Sequence, residues 1–398
     1  MKYKIYQVSD LIEEISMGPF GSNIKVDCFV ESGIPVLNGS NLNGFCLQES
    51  SFRYVTEEKA DSLGRANAFR KDIVITHRGT LGQIVYIPEN SQYERYVISQ
   101  SQFRVRCNEK ILPEYMVYYF HTAAGQHALL SNASQVGVPA LARATTTFQQ
   151  LEMPVPDMDT QKRVIEVLQR IQDKIVVDEK INKNLLEQAQ TIFDQEFLAL
   201  DDIPADWEQS SLLGIADYLN GLAMQKYRPT EGEQGLPVLK IKELRQGSCD
   251  ANSELCSPSI KPEYIVHDGD VIFSWSGSLL VDLWCGGTCG LNQHLFKVTS
   301  KTYDKWFCYA WTNHHLQKFA AIAADMATTM GHIKREELAK AEVLIPSRSD
   351  YERIGNLLAP LYDLVILNRI ENRKLASLRD ELLPQLMTGQ LDVSEVSL

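Results

Sequence analysis

Several signatures of enzymes and membrane proteins are missing from this sequence. The 398 residues contain no Gly-x-x-x-x-Gly-Lys-[Ser/Thr] or Gly-x-Gly-x-x-Gly motif, so no phosphate-cradling loop is indicated. His-Glu-x-x-His, Gly-x-Ser-x-Gly and the Asn/Asp-Pro-Pro-aromatic signature of amino-methyltransferases are also missing. No apolar run reaches about 18 residues, which argues against a transmembrane helix. The sequence therefore predicts a binding protein that has no catalytic site and does not span a membrane.

Cysteine is sparse and irregularly spaced. The eight cysteines include no Cys-x-x-Cys pair, and the nearest approach to one is Cys285-Gly-Gly-Thr-Cys289. Four ligands at zinc-binding spacings are not found, so no metal site is predicted. Free thiols, and an N-terminus that lacks a signal-peptide pattern, predict a cytoplasmic protein.

The net charge of −12 does not favour a uniformly basic nucleic-acid-binding protein. The acidic excess is unevenly distributed, however. Residues 1–150 hold 14 Lys and Arg against 14 Asp and Glu, whereas residues 151–210 hold 6 against 14. A DNA-binding face in the first segment is compatible with this distribution, although charge alone does not predict one.

Four stretches of the first half recur in the second half in the same order. The pairs are GIPVL (33–37) with GLPVL (235–239), DIVITHRGT (72–80) with DVIFSWSGS (270–278), ISQSQFRV (98–105) with LNQHLFKV (291–298), and MPVPDMDTQKRVIEVL (153–168) with LIPSRSDYERIGNLL (344–358). The offset shrinks from 202 between Gly33 and Gly235 to 190 between Arg163 and Arg353. This spacing is too long for a solenoid repeat and indicates a duplicated domain with an appendage.

Each copy ends in a long amphipathic segment with heptad-like spacing. The first predicted seam is Val164, Leu168, Ile171, Ile175, Asp178, Asn182, Leu185, Ala189 and Ile192; the second is Ile354, Leu358, Leu361, Val365, Asn368, Asn372, Leu375, Arg379, Leu382 and Leu386. Both seams turn polar at matching places, which favours two paired helices over helices that each lie on their own domain. The first helix is expected over 159–197, about 58 Å long. Pro360 is expected to kink or restart the second.

The predicted fold is α+β, with two mixed α/β globular domains in a pseudo-two-fold arrangement, separated by a long antiparallel two-helix coiled coil. Antiparallel pairing is expected because a two-fold axis that crosses two equivalent helices makes them run in opposite directions. The predicted boundaries are 1–153 for the first domain, 154–200 for the first helix, 201–346 for the second domain, and 347–398 for the second helix and tail.

The sequence resembles a known family over essentially its whole length. GPFGSNIKVDCFVESGIPVLNGSNLNGF (18–45) and KDIVITHRGTLGQIVYIP (71–88) resemble a target recognition domain from the specificity subunit of Type I restriction–modification enzymes. MPVPDMDTQKRVIEVLQRIQDKI (153–175) is similar to the helical spacer that follows that domain. LLPQLMTGQLDV (382–393) is similar to the family's C-terminal ending. The second copy departs from the pattern at Tyr351, where the first has Gln161, and at NGLAMQKY (220–227), where it lacks the Gly-Pro-Phe-Gly turn.

The resemblance implies a non-catalytic subunit that reads a bipartite, asymmetric double-stranded DNA site, one half per recognition domain. The coiled coil would set the spacing and dock two methyltransferase subunits, which carry S-adenosylmethionine. Restriction/translocase subunits driven by ATP would join them, so this chain itself would need no cofactor. Two alternatives are an interaction scaffold that does not bind DNA and a duplicated DNA-modifying enzyme with an unfamiliar site.

Candidate DNA contacts are polar residues in or near the loops that follow the repeated motifs, because side-chain donors and acceptors read base edges. Arg78 is a candidate guanine or phosphate contact, and Trp275 is a candidate to pack on a sugar or an unstacked base. The alternative is that these loops are only exposed turns. The candidates in the first domain are Ser22, Lys25, Asn38, Ser40, Asn41, Thr76, His77, Arg78, Thr80, Arg104, Arg106 and Arg143. Those in the second are Lys226, Arg228, Lys240, Lys242, Ser274, Trp275, Ser276, His294, His332, Lys334 and Arg335.

Overall fold

A computed structural model describes residues 3–19, 21–134, 137–325 and 333–393. The chain divides into two compact units. Unit 1 is Met1–Asp173 with Ala376–Leu398, and unit 2 is Lys174–Leu375. Both divisions fall inside a long helix, so each unit contains one globular part and a segment of each helix.

Unit 1 consists of groups of short strands separated by short helices, followed by the first long helix. Its strands are β1 (Lys4–Gln7), β2 (Ile12–Met17), β3 (Ile34–Val36), β4 (Arg53–Val55), β5 (Asn67–Phe69), β6 (Ile73–Thr76), β7 (Ile84–Tyr86), β8 (Arg95–Val97), β9 (Gln102–Cys107), β10 (Ala133–Ser134), β11 (Ala140–Leu141) and β12 (Glu152–Val155). Its helices are α1 (Glu57–Ser62), α2 (Pro113–His121), α3 (Ala123–Leu130), α4 (Ala144–Gln150) and the start of α5 (Met158–Phe193).

Unit 2 repeats this plan. Its strands are β13 (Glu208–Ser211), β14 (Asp217–Asn220), β15 (Leu236–Leu239), β16 (Leu255–Cys256), β17 (Ile265–Val266), β18 (Val271–Ser274), β19 (Leu280–Leu283), β20 (Cys289–Leu291), β21 (Leu295–Thr299) and β22 (Glu342–Ile345). Its helices are α6 (Leu212–Ile215), α7 (Ile241–Gln246), α8 (Lys305–His314), α9 (Leu316–Asp325), α10 (Arg335–Lys340) and most of α11 (Arg348–Thr388).

The sheets confirm the duplication that the sequence predicts. In unit 1 the strand orders are β2-β9-β6-β7, β4-β3-β8-β5 and β1-β12. In unit 2 they are β14-β21-β18-β19, β16-β15-β20-β17 and β13-β22, which is the same topology strand for strand. The repeated Gly-x-Pro-Val-Leu motif supplies the central strand of the second sheet in each unit, where β3 pairs in parallel with β8 and β15 with β20.

A glycine at the end of the first long strand is also common to both units. A Cβ on Gly18 would lie 2.0 Å from the carbonyl oxygen of Ser99, and one on Gly221 would lie 2.3 Å from that of Asn292. Only glycine allows such close backbone approach. The second copy therefore lacks the Gly-Pro-Phe-Gly turn as a sequence but keeps the glycine that this position requires.

The long helices agree closely with the predicted segments. Helix α5 spans Met158–Phe193 and continues as a π-helical turn over Asp194–Leu198, which confirms the helix expected over 159–197. Helix α11 runs without a break through Pro360, so the predicted restart is wrong. Pro360 lies on the exposed side of the helix, where water can satisfy the carbonyl that loses its intrahelical donor.

Within each unit the two helix segments pack in opposite directions along the predicted seams. In unit 1, Val164 and Leu168 share a core with Leu383 and Leu386, all at most 4% exposed. In unit 2, Ile354, Leu358 and Val365 are fully buried, and Arg353 forms a two-point ion pair with Glu196, both at 2.8 Å. In unit 2, Ile175, Asn182 and Glu196 contact Asn372, Asn368 and Arg353 in turn. Rising residue numbers on one helix thus meet falling numbers on the other, so the pairing is antiparallel, as predicted.

The polar interruptions of the seam pair with each other. Asn368 donates its amide N–H to Oδ1 of Asn182 at 2.9 Å, and both residues are nearly buried. Asn372 donates to the carbonyl oxygen of Ile175 at 3.2 Å. Because a buried polar pair is satisfied in one register only, this pair specifies how the helices align in unit 2.

Candidate nucleic-acid interface

Three loops of unit 1 are joined by hydrogen bonds at one edge of its sheets. The loop after β6 exchanges two backbone hydrogen bonds with the segment around β11: Leu141 N–H donates to His77 O, and Gly79 N–H donates to Pro139 O, both at 2.9 Å. Gln83 extends the connection, because its amide donates to the carbonyl oxygen of Gly39, in the loop after β3, at 2.9 Å. The structure thus brings together the segments around residues 39, 78 and 141.

Unit 2 builds the same edge with a corresponding bond. Ile333 N–H donates to Trp275 O at 3.0 Å, and Trp275, like His77, lies two residues before a glycine. That glycine has a positive φ in both units, +93° at Gly79 and +65° at Gly277, which explains why it is kept while its neighbours differ. A Cβ on Gly277 would lie 3.9 Å from Cδ1 of Ile241, so α7 borders this loop.

The edge in unit 1 carries unneutralised positive charge. Arg78 and Arg143, in two of these segments, are exposed, as is Lys25 in the segment between β2 and β3, and among the described residues none of the three side chains has a hydrogen-bond or ion-pair partner. Arg143 lies two residues beyond Leu141, which bonds to the Arg78 loop. His77, the neighbour of Arg78 in the sequence, bonds through Nε2 to the carbonyl oxygen of Gln100 at 3.1 Å. Burial, aided by the charge of Arg78, lowers the pKa of His77, so this imidazole is neutral near pH 7.

Three of the six Lys and Arg candidates in unit 2 have acidic partners. Lys240 pairs with Glu254 at 2.6 Å, Lys242 with Asp250 at 3.2 Å, and Arg228 reaches Glu254 at 3.8 Å. Two further candidates, Lys226 and Lys334, are exposed and have no partner among the described residues. Arg335 is exposed and contacts the carbonyl oxygen of Tyr218 at 3.4 Å. Each unit therefore has three Lys and Arg candidates without an acidic partner among the described residues.

The aromatic candidate is held in place by its own domain. The indole N–H of Trp275 donates to Oδ1 of Asn220 at 3.1 Å, and its ring lies 5.6 Å from the ring of Phe296 and 6.3 Å from that of His294. His294 in turn contacts the hydroxyl of Ser276 at 3.3 Å. Trp275 and His294 are partly exposed, so each presents only part of its ring to solvent.

Five candidates have buried side chains that brace the loops. They are Asn41, Thr76, Arg104, Ser274 and Ser276, each at most 3% exposed. Thr76 donates to Oε1 of Gln83 at 3.0 Å, and Ser274 donates to the carbonyl oxygen of Ser278 at 3.0 Å. The structure gives these side chains an internal role and leaves them little surface to offer a ligand.

Arg104 belongs to an ion pair that both units share. It contacts Asp72 at 3.3 Å, where both side chains are at most 4% exposed. The corresponding pair in unit 2 is Lys297 with Asp270, at 2.8 Å. Arg106 also binds Asp72, at 2.8 Å, and its guanidinium lies over the ring of Phe69. Arg104 is thus part of the frame.

Asn41 has an equally internal role. Its Oδ1 accepts from the backbone N–H of Asn38 at 3.0 Å, while its Nδ2 donates to the carbonyl oxygens of Gln48 and Ser50. In unit 2 the carboxylate of Glu243 accepts from the N–H of Lys240 at 3.2 Å. Different residues thus close the turn after Gly-x-Pro-Val-Leu in the same way.

Ser40 and Thr80 are exposed loop residues, and Asn38 is partly exposed. The side chain of Ser22 and the whole of His332 lie outside the described residues.

The sequence interpretation missed two residues that position a domain helix on a long helix. Gln161 is fully buried, and its Oε1 accepts from the N–H of Leu112, the N-cap of α2, at 2.9 Å. Tyr351 has the same role with another side chain: its hydroxyl accepts from the N–H of Asp304, the N-cap of α8, at 2.8 Å. The sequence showed the Gln-to-Tyr difference, but it gave no sign of this shared hydrogen bond.

Within the described residues, no group of three or more His, Cys, Asp or Glu side chains could hold a metal ion. Among those residues there is also no helix long and apolar enough to cross a membrane.

Comparison with known proteins identifies the family. The model of the Type I restriction modification DNA specificity domain matches twice, over residues 3–187 and 204–378. This chain belongs to that family. The MjaIX specificity subunit of Methanocaldococcus jannaschii is 23% identical over 86% of this chain and 83% of its own length. The HindI specificity subunit of Haemophilus influenzae is 20% identical over 95% and 99%.

A solved specificity subunit shares the fold. The crystal structure of the Type I restriction–modification S subunit from M. genitalium superimposes with a TM-score of 0.57 at 12% identity, over 97% of this chain and 96% of that one. The duplicated recognition domains and long helices described above are therefore the fold of a Type I specificity subunit.

Proposed function

We propose that this specificity subunit reads a bipartite, asymmetric DNA sequence, with one half-site for each globular domain. The observation that carries the proposal is the pair of loop clusters. They stand on the same strands and share a glycine and a cross-loop hydrogen bond, but they present Arg78 in one unit and Trp275 in the other. The same strands with different exposed loop side chains suit a DNA site whose two halves differ in sequence.

The exposed and partly exposed candidates form the proposed contact set. In unit 1, Arg78, Arg143 and Lys25 would provide phosphate contacts or bind guanine, since arginine pairs with the O6 and N7 acceptors of that base. In unit 2, Lys226, Lys334 and Arg335 would anchor the backbone, and Trp275 would present its exposed edge. The buried side chains, including Arg104 and Asn41, are left out of this set because they already have internal partners.

We further propose that the long helices dock two methyltransferase subunits. Helix α11 exposes Leu357, Leu364 and Leu367, which are 46%, 42% and 62% exposed. At 3.6 residues per turn, these leucines lie along one side of the helix. An exposed apolar stripe of this kind is typical of a surface that a partner covers. The partners would carry S-adenosylmethionine, and ATP would be used by additional restriction/translocase subunits.

The test is to map adenine methylation in cells that express this chain with the methyltransferase encoded beside it. The wild-type complex is expected to methylate one bipartite sequence. Arg78→Ala should relax or weaken one half-site only, and Lys226→Ala should affect only the other. Loss of both half-sites in the Arg78 variant, in spite of normal unfolding, would contradict the assignment of one domain to each half.

A second measurement separates this function from an enzymatic one. The purified chain alone is expected neither to bind S-adenosylmethionine nor to cleave or methylate DNA. Because the chain is acidic overall, it is also expected to bind its duplex weakly until the methyltransferase subunits add further phosphate contacts. Nanomolar binding by the isolated chain in physiological salt would refute this dependence on the partner.

A further inference from the structure

One exposed arginine of unit 1 is not among the candidates that the sequence predicted. Arg53 begins β4 and is paired with Val36 of the repeated Gly-x-Pro-Val-Leu motif. In unit 2, Val238 of the same motif donates its N–H to the carbonyl oxygen of Glu254 at 2.7 Å. Glu254 therefore occupies the place of Arg53, and the two copies carry opposite charges at one equivalent position.

The two side chains differ in what surrounds them. The carboxylate of Glu254 accepts from Lys240 at 2.6 Å and lies 3.8 Å from Arg228, so its charge is neutralised within its own unit. Arg53 is exposed, and its side chain has no hydrogen-bond or ion-pair partner among the described residues. The N–H donors of its guanidinium are thus available to a ligand.

An aromatic ring restrains the guanidinium of Arg53. The guanidinium carbon lies over the ring of Phe29, 5.1 Å from its centroid. Phe29 is itself fixed, because it packs against a buried cluster that includes Val36, Val55 and Val97. A contact of this kind limits the motion of the guanidinium and leaves its N–H groups free to bond. The restraint suits recognition of a planar group through two parallel hydrogen bonds, which depends on orientation as well as on charge.

Arg53 also lines a cleft that adjoins the loop cluster of unit 1. The cleft has a volume of about 450 Å³, and its mainly apolar lining includes Val36. Its polar lining includes Asn38 and Gln100. The carbonyl oxygen of Gln100 accepts the hydrogen bond from His77, so the cleft lies beside the loop after β6. Apolar walls strengthen the field of a charge at the edge of a cleft, and here that charge is positive.

We propose that Arg53 is a specificity-determining residue of unit 1 that binds a guanine of its half-site. Its guanidinium donates to the O6 and N7 acceptors of the base, the arrangement by which arginine distinguishes guanine in the major groove. Phe29 is a positioning residue, because it acts through Arg53. At the equivalent position of unit 2, Glu254 offers acceptors and no donors, so the two domains do not select the same base there. This inference rests on the proposed function.

The test measures methylation rates of the full-length chain in complex with the methyltransferase encoded beside it. The substrates are duplexes that carry each base in turn at each recognised position. Arg53→Met removes the donors but keeps an apolar contact with Phe29. Its discrimination against the other bases should fall by about 5- to 150-fold at one guanine position of one half-site, which is the range for one bidentate contact to a base.

A matched control is available in the same sheet. Arg95 lies on β8, but its guanidinium already bonds to Asp61 at 2.6 Å. Arg95→Met should therefore leave discrimination unchanged at every position. Phe29→Leu should lower discrimination at the guanine position alone, a result that a purely structural role of the ring would not produce.

A modified base separates a guanine contact from a phosphate contact. In 7-deazaguanine the N7 acceptor is replaced by a C–H group, and the phosphates are unaltered. At the guanine position this base should slow the wild-type complex at least about twofold and the Arg53→Met complex no further, because the two changes remove the same bond. Equal slowing of both complexes, or no slowing of the wild-type complex, would overturn the inference.

Two further outcomes are informative. A loss of rate in Arg53→Met that is uniform over all sequences would indicate a phosphate contact and would also overturn the inference. Thermal unfolding should be unchanged because Arg53 is exposed, and Arg53→Ala provides an independent second variant. A wild-type complex that methylates no defined sequence would instead refute the proposed function.

Discussion

The buried asparagine pair offers the sharpest test of how the helices are aligned. Asn182 and Asn368 are 6% and 8% exposed and share one hydrogen bond of 2.9 Å. Asn368→Ala removes the donor and leaves the Asn182 carbonyl buried without it. Leaving such a group unsatisfied costs about 1–3 kcal/mol, so we expect a loss of that size in the free energy of unfolding. Asn182→Leu with Asn368→Leu removes both polar groups and should be close to neutral.

The measurement can be confined to the unit concerned. All five tryptophans lie between Trp207 and Trp311, inside unit 2, so their fluorescence during urea unfolding follows this unit. Asn372→Ala is the matched control. Its bond to Ile175 is longer, and its Oδ1 is buried without a partner among the described atoms, so its removal should cost less.

Two results would refute this reasoning. One is a change below about 0.5 kcal/mol for Asn368→Ala, which is the range of an ordinary surface substitution. The other is a double leucine variant as unstable as the single alanine variant.

Three further predictions concern side chains that stabilise the two units. Leu386→Ala should lower the stability of unit 1 by about 2–5 kcal/mol, since Leu386 is fully buried, and calorimetry should show this loss while the tryptophan transition of unit 2 is unchanged. Arg104→Met should destabilise unit 1 by up to about 3–5 kcal/mol, because buried Asp72 loses one of its two arginine partners. An unaltered unfolding temperature would contradict this structural role and make Arg104 a candidate DNA contact again. The Arg373 guanidinium lies 2.8 Å from the carboxylate of Asp268 and lowers its pKa. The pair therefore stabilises unit 2 at pH values above the ordinary aspartate pKa. This stabilisation is lost as the pH falls through the lowered pKa. Acid unfolding followed by tryptophan fluorescence should therefore begin at higher pH in Arg373→Gln, and identical curves would contradict this.

Much of the fold could be predicted because the sequence contains two copies of the same domain. The order of the repeated motifs predicted two equivalent domains, and the spacing of Val164, Leu168, Ile354 and Leu358 predicted the packed helix faces. Pro360 was misjudged because a proline's effect depends on which side of the helix it occupies. The sequence shows the residue but does not show what surrounds the freed carbonyl.

The candidate site was harder to predict, for a physical reason. Arg78 and Arg104 are the same residue type, and only their partners distinguish them. Arg104 forms an ion pair with buried Asp72, whereas the side chain of Arg78 has no hydrogen-bond or ion-pair partner among the described residues. One signal was available in the repeat. The basic residue and its aspartate recur together as Lys297 and Asp270, which indicates a structural role. A difference between the copies is not enough to indicate recognition, because Asn41 and Glu243 differ and yet close the same turn.

The contact between Tyr3 and the segment around Leu386 has a consequence for protein synthesis. The hydroxyl of Tyr3 bonds to the carbonyl oxygen of Leu386 at 2.7 Å, and Leu383, Met387 and Val393 belong to the core of the first domain. The core of unit 1 therefore cannot close until the codons for residues 383–393 have been translated, long after those for residues 1–173. A message cut short upstream of those codons would yield a product with an open apolar cleft, which cellular proteases can recognise.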